Sequence, residues 1–153
     1  EAMGLRAEVP SDFELIRSGA PVGRMRWIFS QPGKRPPRLV LERIAMPDTW
    51  LKKPLRDWLA EDLPDGHKPL RQDPHMVNGH RGQRIVSHRK LSFALSLRGI
   101  HDVRTSIAWL CPIEDRLYRI SCSRASQEEE TAIPGNVEVS CCRPTPVAGA
   151  ARP

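Results

Sequence analysis

Cysteine is sparse in this chain, four in 153 residues, which excludes a small scaffold held together by disulfides. The core must come from apolar packing, and reduced thiols in a cytoplasmic setting are the expectation. Apolar runs are short as well. None approaches the roughly 18 residues that a spanning helix needs, so no transmembrane segment is expected. Aromatic residues are only 5% of the chain, and four of them are Trp. No phosphate-binding loop, nucleophile-and-base signature or complete metal-ligand motif can be read, so the recognisable phosphate-loop, hydrolase and zinc-finger patterns are missing.

What is present begins with charge. The net charge is +6, and residues 1–90 hold 17 basic against 11 acidic side chains while residues 91–153 are balanced at 7 against 7. A positive field of this kind attracts phosphate or an acidic partner. The cations are 19 Arg and 5 Lys, a bias that genome composition also produces. Hydrophobic content of 39% over this length suits one compact domain.

The clearest local signal lies between Thr105 and Cys142. Ile107, Trp109 and Cys111 alternate with Ala108 and Leu110, and Tyr118, Ile120 and Cys122 alternate with Arg119 and Ser121. This is a hairpin. A two-residue turn at Glu114 and Asp115 pairs Cys111 with Tyr118, Trp109 with Ile120 and Ile107 with Cys122, with the large apolar side chains on one face. Cys111 and Cys122 are then about 13 Å apart along the strands, too far for a disulfide.

Further strands are expected at 13–16, 25–29 and 38–46, separated by Pro and Gly turns. The main helix is expected over about 49–63, capped by Thr49, with Leu51, Leu55, Trp58, Leu59 and Leu63 at helical spacing. Pro54 requires that it start nearby or bend, and Pro64 ends it. Residues 64–82, rich in Pro, Gly, Asp and Asn, read as a long irregular loop. Residues 84–88 and 91–97 read as another strand pair, the second alternating Leu91, Phe93, Leu95 and Leu97 with Ser and Ala. Ser126 and Glu129 form a capping box for a short helix over about 126–133, stopped at Pro134-Gly135-Asn136, and Val137 and Val139 begin a last strand. The fold class is therefore α+β: one domain over 1–142, an antiparallel sheet of about six to eight strands packed with these two helices, then a disordered tail over 143–153.

This order of elements resembles the Mog1/PsbP-like small α+β domains. The resemblance rests on the hairpin around Trp109 and Tyr118, the Ser126 helix and the strand at 137–140, and it implies a domain that binds partner proteins or assists assembly. It supplies no catalytic residues.

Function is sought first in the loop, because four of the five histidines, His67, His75, His80 and His88, fall within 22 residues beside several arginines. The leading expectation is a non-enzymatic accessory domain docking an acidic or protein partner through His75, His80, Arg81, Arg84, His88 and Arg89. An alternative is a zinc-dependent or phosphate-processing enzyme built from His75, His80 and His88 with Cys111 and a carboxylate such as Asp73. A second alternative is nucleic-acid binding through Arg81, Arg84 and Arg89. Candidate metal ligands are His80, Cys111, Cys122 and Cys142. Adjacent Cys141 and Cys142 point to opposite strand faces, so one of them could meet Cys111 or Cys122 as a disulfide, as a zinc site with His80, or as inert packed thiols.

Overall fold

A computed structural model describes residues 6–130, 132–134 and 138–141. The expected tail, and Cys142 with it, lies outside the described residues. Nine strands and three short helices follow in order: β1 Arg6–Glu8, β2 Glu14–Gly19, β3 Arg24–Ser30, β4 Arg38–Ala45, α1 Pro47–Trp50, α2 Leu55–Glu61, β5 Lys68–Val77, β6 His80–Lys90, α3 Phe93–Ser96, β7 His101–Cys111, β8 Arg116–Ser126 and β9 Glu138–Ser140. Seven strands form one antiparallel sheet in the order β2-β3-β4-β8-β7-β6-β5, and β1 pairs with β9 in a separate two-stranded sheet. The α+β class holds.

β4 and β8 sit at the centre of the sheet and are buried along most of their length. One sheet face carries Leu39, Leu41, Trp109, Tyr118 and Ile120, covered by Ala7, Val9 and Phe13 from the N-terminal segment and by Ile133 and Cys141 from the C-terminal one. Trp109 and Tyr118 pair across β7 and β8 and stack with ring centroids 5.5 Å apart. The opposite face takes α2, whose Leu59 packs on Ile85 and Ala108.

The β7–β8 hairpin differs from expectation by two residues. Cys111 pairs with Arg116 and Trp109 with Tyr118, so the turn is four residues long, with Asp115 at φ 49°. A slip of two keeps every side chain on its own face because the strand period is two, so the predicted apolar face survives the change of partners.

Residues 68–82 are not a loop but most of the hairpin β5–β6. Val77 pairs with His80, leaving Asn78 and Gly79 as a two-residue turn with φ of 50° and 78°, the type I′ conformation that Asn-Gly favours. Pro69 and Pro74, which argued against a strand, are tolerated because β5 is the sheet edge, where a missing N–H faces no partner strand. Gly82 has a packing reason. A Cβ there would meet the Ala108 carbonyl oxygen at 2.5 Å and the Trp109 Cβ at 3.0 Å.

Three other elements depart from the sequence pattern. The helix expected over 49–63 is divided: α2 begins right after Pro54, whose missing N–H and steric demand on the preceding residue prevent continuity with α1. In place of a strand over 91–97, α3 forms, leaving Phe93 and Leu97 largely exposed. In place of a helix over 126–133, Ser126 ends β8 and residues 127–129 bend. The Ser126 Oγ still accepts from a nearby backbone N–H, that of Glu128, while the carboxylates serve arginines instead of a helix end: Glu128 pairs with Arg124, and Glu130 with Arg71 and Arg84.

A buried ion pair ties the second face together. Glu42 on β4 and Arg119 on β8, opposite each other and 1% and 5% exposed, are hydrogen-bonded, and Arg119 also reaches Asp62 just beyond α2 while lying 5.5 Å over the Trp58 ring. Across β6 and β7, His88 stacks on His101 with centroids 5.5 Å apart. Burial, followed by the neighbouring His101, pulls the His88 pKa below 6.5.

Glu42→Gln is expected to cost about 3 kcal/mol in urea unfolding, because it removes the buried counter-charge of Arg119 and leaves only the partly exposed Asp62 to balance it. By the same measurement Gly82→Ala should cost about 1–3 kcal/mol through overpacking against the β7 backbone. The unfolded chain protonates His88 before the folded one does. Its contribution is therefore full above about pH 6.5 and declines as pH falls through that value, so the stability loss between about pH 7.5 and 5.5 should shrink in His88→Gln.

Candidate functional site

The expected docking residues divide between the two faces of β6. His80, Arg84 and His88 share one face, joined across the β5–β6 ladder by His75, while Arg81 and Arg89 lie on the other. They do not make one surface. Arg84 is engaged by Asp73 at 3.0 Å and Glu130 at 2.9 Å, and the hydrogen bond from Arg84 holds the Asp73 carboxyl below its usual range. Arg89 is paired with Asp102 at 2.9 Å. The proposed enzyme grouping does not assemble either: His80 starts β6, whereas His88 stands eight residues along the same strand, about 26 Å away.

Two arrangements do assemble. The first is a thiol and imidazole cluster on the Trp109 face. Gly82 pairs with Trp109, so the β6–β7 register continued by two positions sets His80 beside Cys111, the last residue of β7. Cys141, immediately after β9, enters the same core, and one ligand atom from each of His80, Cys111 and Cys141 lies within 4.8 Å of the others. Both thiols are fully buried and His80 partly so. The Trp109 Nε1–H donates to the Cys141 Sγ at 3.4 Å. Of the adjacent cysteines it is Cys141 that joins. Cys122 does not, since it lies six residues along β8 from the partner of Cys111, about 20 Å away, and burial pushes its thiol up to about 11. The three described cysteines are all outside disulfides.

The second arrangement was missed in the sequence. α2 covers only part of its sheet face, and the rest is a concave surface dominated by arginine. One row across the strands runs Ser30, Arg38, Ser123, Arg104 and Ser87. A cavity of about 180 Å³ is lined by Arg26, Arg38, Arg89, Arg104 and Ser123, with Asp102 as its carboxylate. It adjoins a second of about 340 Å³ that shares Arg38, Arg89 and Asp102 and adds Lys34, Arg35 and Arg124.

The charges are unequally matched. Asp102 accepts from Arg89 and lies 3.5 Å from the His67 Nε2, while the other nitrogen of that ring meets the Ser87 Oγ at 3.1 Å. Burial pushes the Asp102 carboxyl up, but the His67 hydrogen bond and the Arg89 charge outweigh it and hold the pKa below the usual range. Arg104 donates to the Ser106 Oγ at 3.1 Å and makes no ion pair among the described residues. Burial, with Arg26 nearby, weakens its hold on its proton against the pull of Glu42. Adding an anion here would relieve that cost. The signal for this face was available in the alternation of Arg24, Arg26, Arg38 and Arg104 with apolar neighbours, but only the strand order makes them adjacent.

No protein-family model matches the chain, and no curated protein matches it. Solved structures with a similar backbone arrangement include the following two. One is the Ran-binding protein Mog1p of Saccharomyces cerevisiae, 11% identical, with a TM-score of 0.46 over 80% of this chain and 72% of that one. The other is LpqN, involved in cell envelope biogenesis of Mycobacterium tuberculosis, 13% identical, with a TM-score of 0.47 over 80% of this chain and 70% of that one.

Proposed function

We propose that this protein is a non-enzymatic binding domain that takes an acidic protein segment on the arginine-lined concave face beside α2. The observation that carries the reading is Arg104, a recessed guanidinium without a carboxylate partner among the described residues, flanked in one cavity by Arg26 and Arg38. Guanidinium groups bind carboxylates through paired, charge-assisted hydrogen bonds, and a recessed site strengthens them by limiting water.

An acidic peptide suits the surface better than a single-stranded nucleic acid, because neither cavity is lined by Phe, Tyr or Trp on which bases would stack. The basic patch expected on the His-bearing hairpin is replaced in this reading by the sheet face, since Arg84 and Arg89 already serve acidic neighbours.

Fluorescence anisotropy with a labelled poly-glutamate peptide tests the proposal. Binding should weaken as salt rises, and Arg104→Ala should reduce affinity by about tenfold or more, the loss expected for one charge-assisted contact. Arg98→Ala, outside both cavities, should leave it unchanged. Equal losses in the two variants, or tighter binding of an oligonucleotide than of the peptide, would overturn the assignment.

A further inference from the structure

We infer that His80, Cys111 and Cys141 form a zinc site that fastens the segment after β9 to the end of the β6–β7 pair. Two thiols and an imidazole are the donor types that select zinc among common divalent ions, and a Cys₂His set leaves one position of a tetrahedron for water or another small ligand. Zinc bonds of roughly 2.3 Å to sulfur and 2.0 Å to nitrogen separate tetrahedral donors by about 3.5 Å. The three ligand atoms lie within 4.8 Å of one another, so contraction by about an ångström completes the geometry.

A second observation points the same way. The indole N–H can only donate, and Trp109, 1% exposed, directs it at the Cys141 sulfur. A thiolate is a stronger acceptor than a thiol, and hydrogen bonds of this kind orient and stabilise metal-bound sulfur. Metal binding releases the two thiol protons to solvent, and the charge of the ion balances the two thiolates that form, which offsets the cost of burying anionic sulfur beside the Trp109 ring. The three ligands come from sequence positions far apart. His80 opens β6, Cys111 closes β7 and Cys141 follows β9, so one ion would cross-link both sheets.

The test uses the full chain prepared without chelator, by native mass spectrometry and by cobalt titration followed in the visible spectrum. The expected result is one zinc ion per chain, lost in acid, and a cobalt spectrum with thiolate charge-transfer bands. His80→Ala, Cys111→Ala and Cys141→Ala should each reduce cobalt affinity by more than the roughly 10–100-fold that loss of a supporting hydrogen bond costs. Cys122→Ala, an equally buried thiol outside the cluster, should keep the bands and the stoichiometry, which separates ligand loss from damage to the core. Zinc should also raise the melting temperature of the native chain and not that of His80→Ala, whose partly exposed site tolerates truncation. The inference is overturned by a folded native chain that carries no metal and takes up no cobalt with thiolate bands. A mass two hydrogens lower, placing Cys111 and Cys141 in a disulfide, overturns it equally.

Discussion

The contact between Arg119 and Glu42 governs how the two sides of the sheet are used. Both charges lie on adjacent central strands, and taking them from water is repaid only if each finds hydrogen bonds in the interior. Arg119 meets that demand by reaching three groups at once: Glu42 across the strand, Asp62 at the end of α2 and the face of Trp58. The helix is thereby placed over Ala108 and Ile85. It is only seven residues long, so the neighbouring rows of the sheet are left open, and those rows contain Arg38 and Arg104. Arg24 and Arg26 also lean on Glu42, so one buried carboxylate organises several cations and leaves the cavity beyond them positive.

The other face depends on a different constraint, the two-residue turn at Asn78 and Gly79. Positive φ at both positions makes the turn tight, and a tight turn sets the pairing of β5 with β6 from Val77 and His80 back to Arg71 and Val86, beyond which a bulge shifts it. Gly82 then allows close approach to Ala108 and Trp109, and the register delivers His80 to the end of β7. Cys111 stands there because it is the last paired residue before the four-residue turn of the next hairpin. The approach of His80 to Cys111 thus follows from two turn lengths and one glycine, and the strand pair β1–β9 adds Cys141.

Local composition does not carry the tertiary partners of a segment, and the departures from the sequence pattern lie where those partners decide. Pro69 and Pro74 signal a loop in a central strand but are compatible with β5, whose outer side has no partner among the described residues. Asn78-Gly79, inside the segment that reads as a loop, is the turn of a hairpin. At 91–97 the alternation of Leu and Phe with Ser and Ala fits a strand, yet these residues also suit the helical turn that Phe93–Ser96 adopts. The acidic run after Ser126 suits a helix N-terminus, but Arg71, Arg84 and Arg124 compete for the same carboxylates and hold the chain in a bend.

Period-two alternation by itself determined that Trp109, Tyr118, Ile120 and Cys122 share a face, and this holds whichever partners they take, because a slip of two residues does not change sides. The α+β class, the breaking effect of Pro54 and the separation of Cys111 from Cys122 were determined in the same way, by local sterics and strand geometry. Tertiary structure alone decided what those faces meet. It set β4 beside β8, so that Arg38 and Arg104 became neighbours, and it paired β9 with β1, so that Cys141 came to Cys111 and His80. Such neighbours are far apart in the chain, and the packing energy that unites them belongs to the whole sheet.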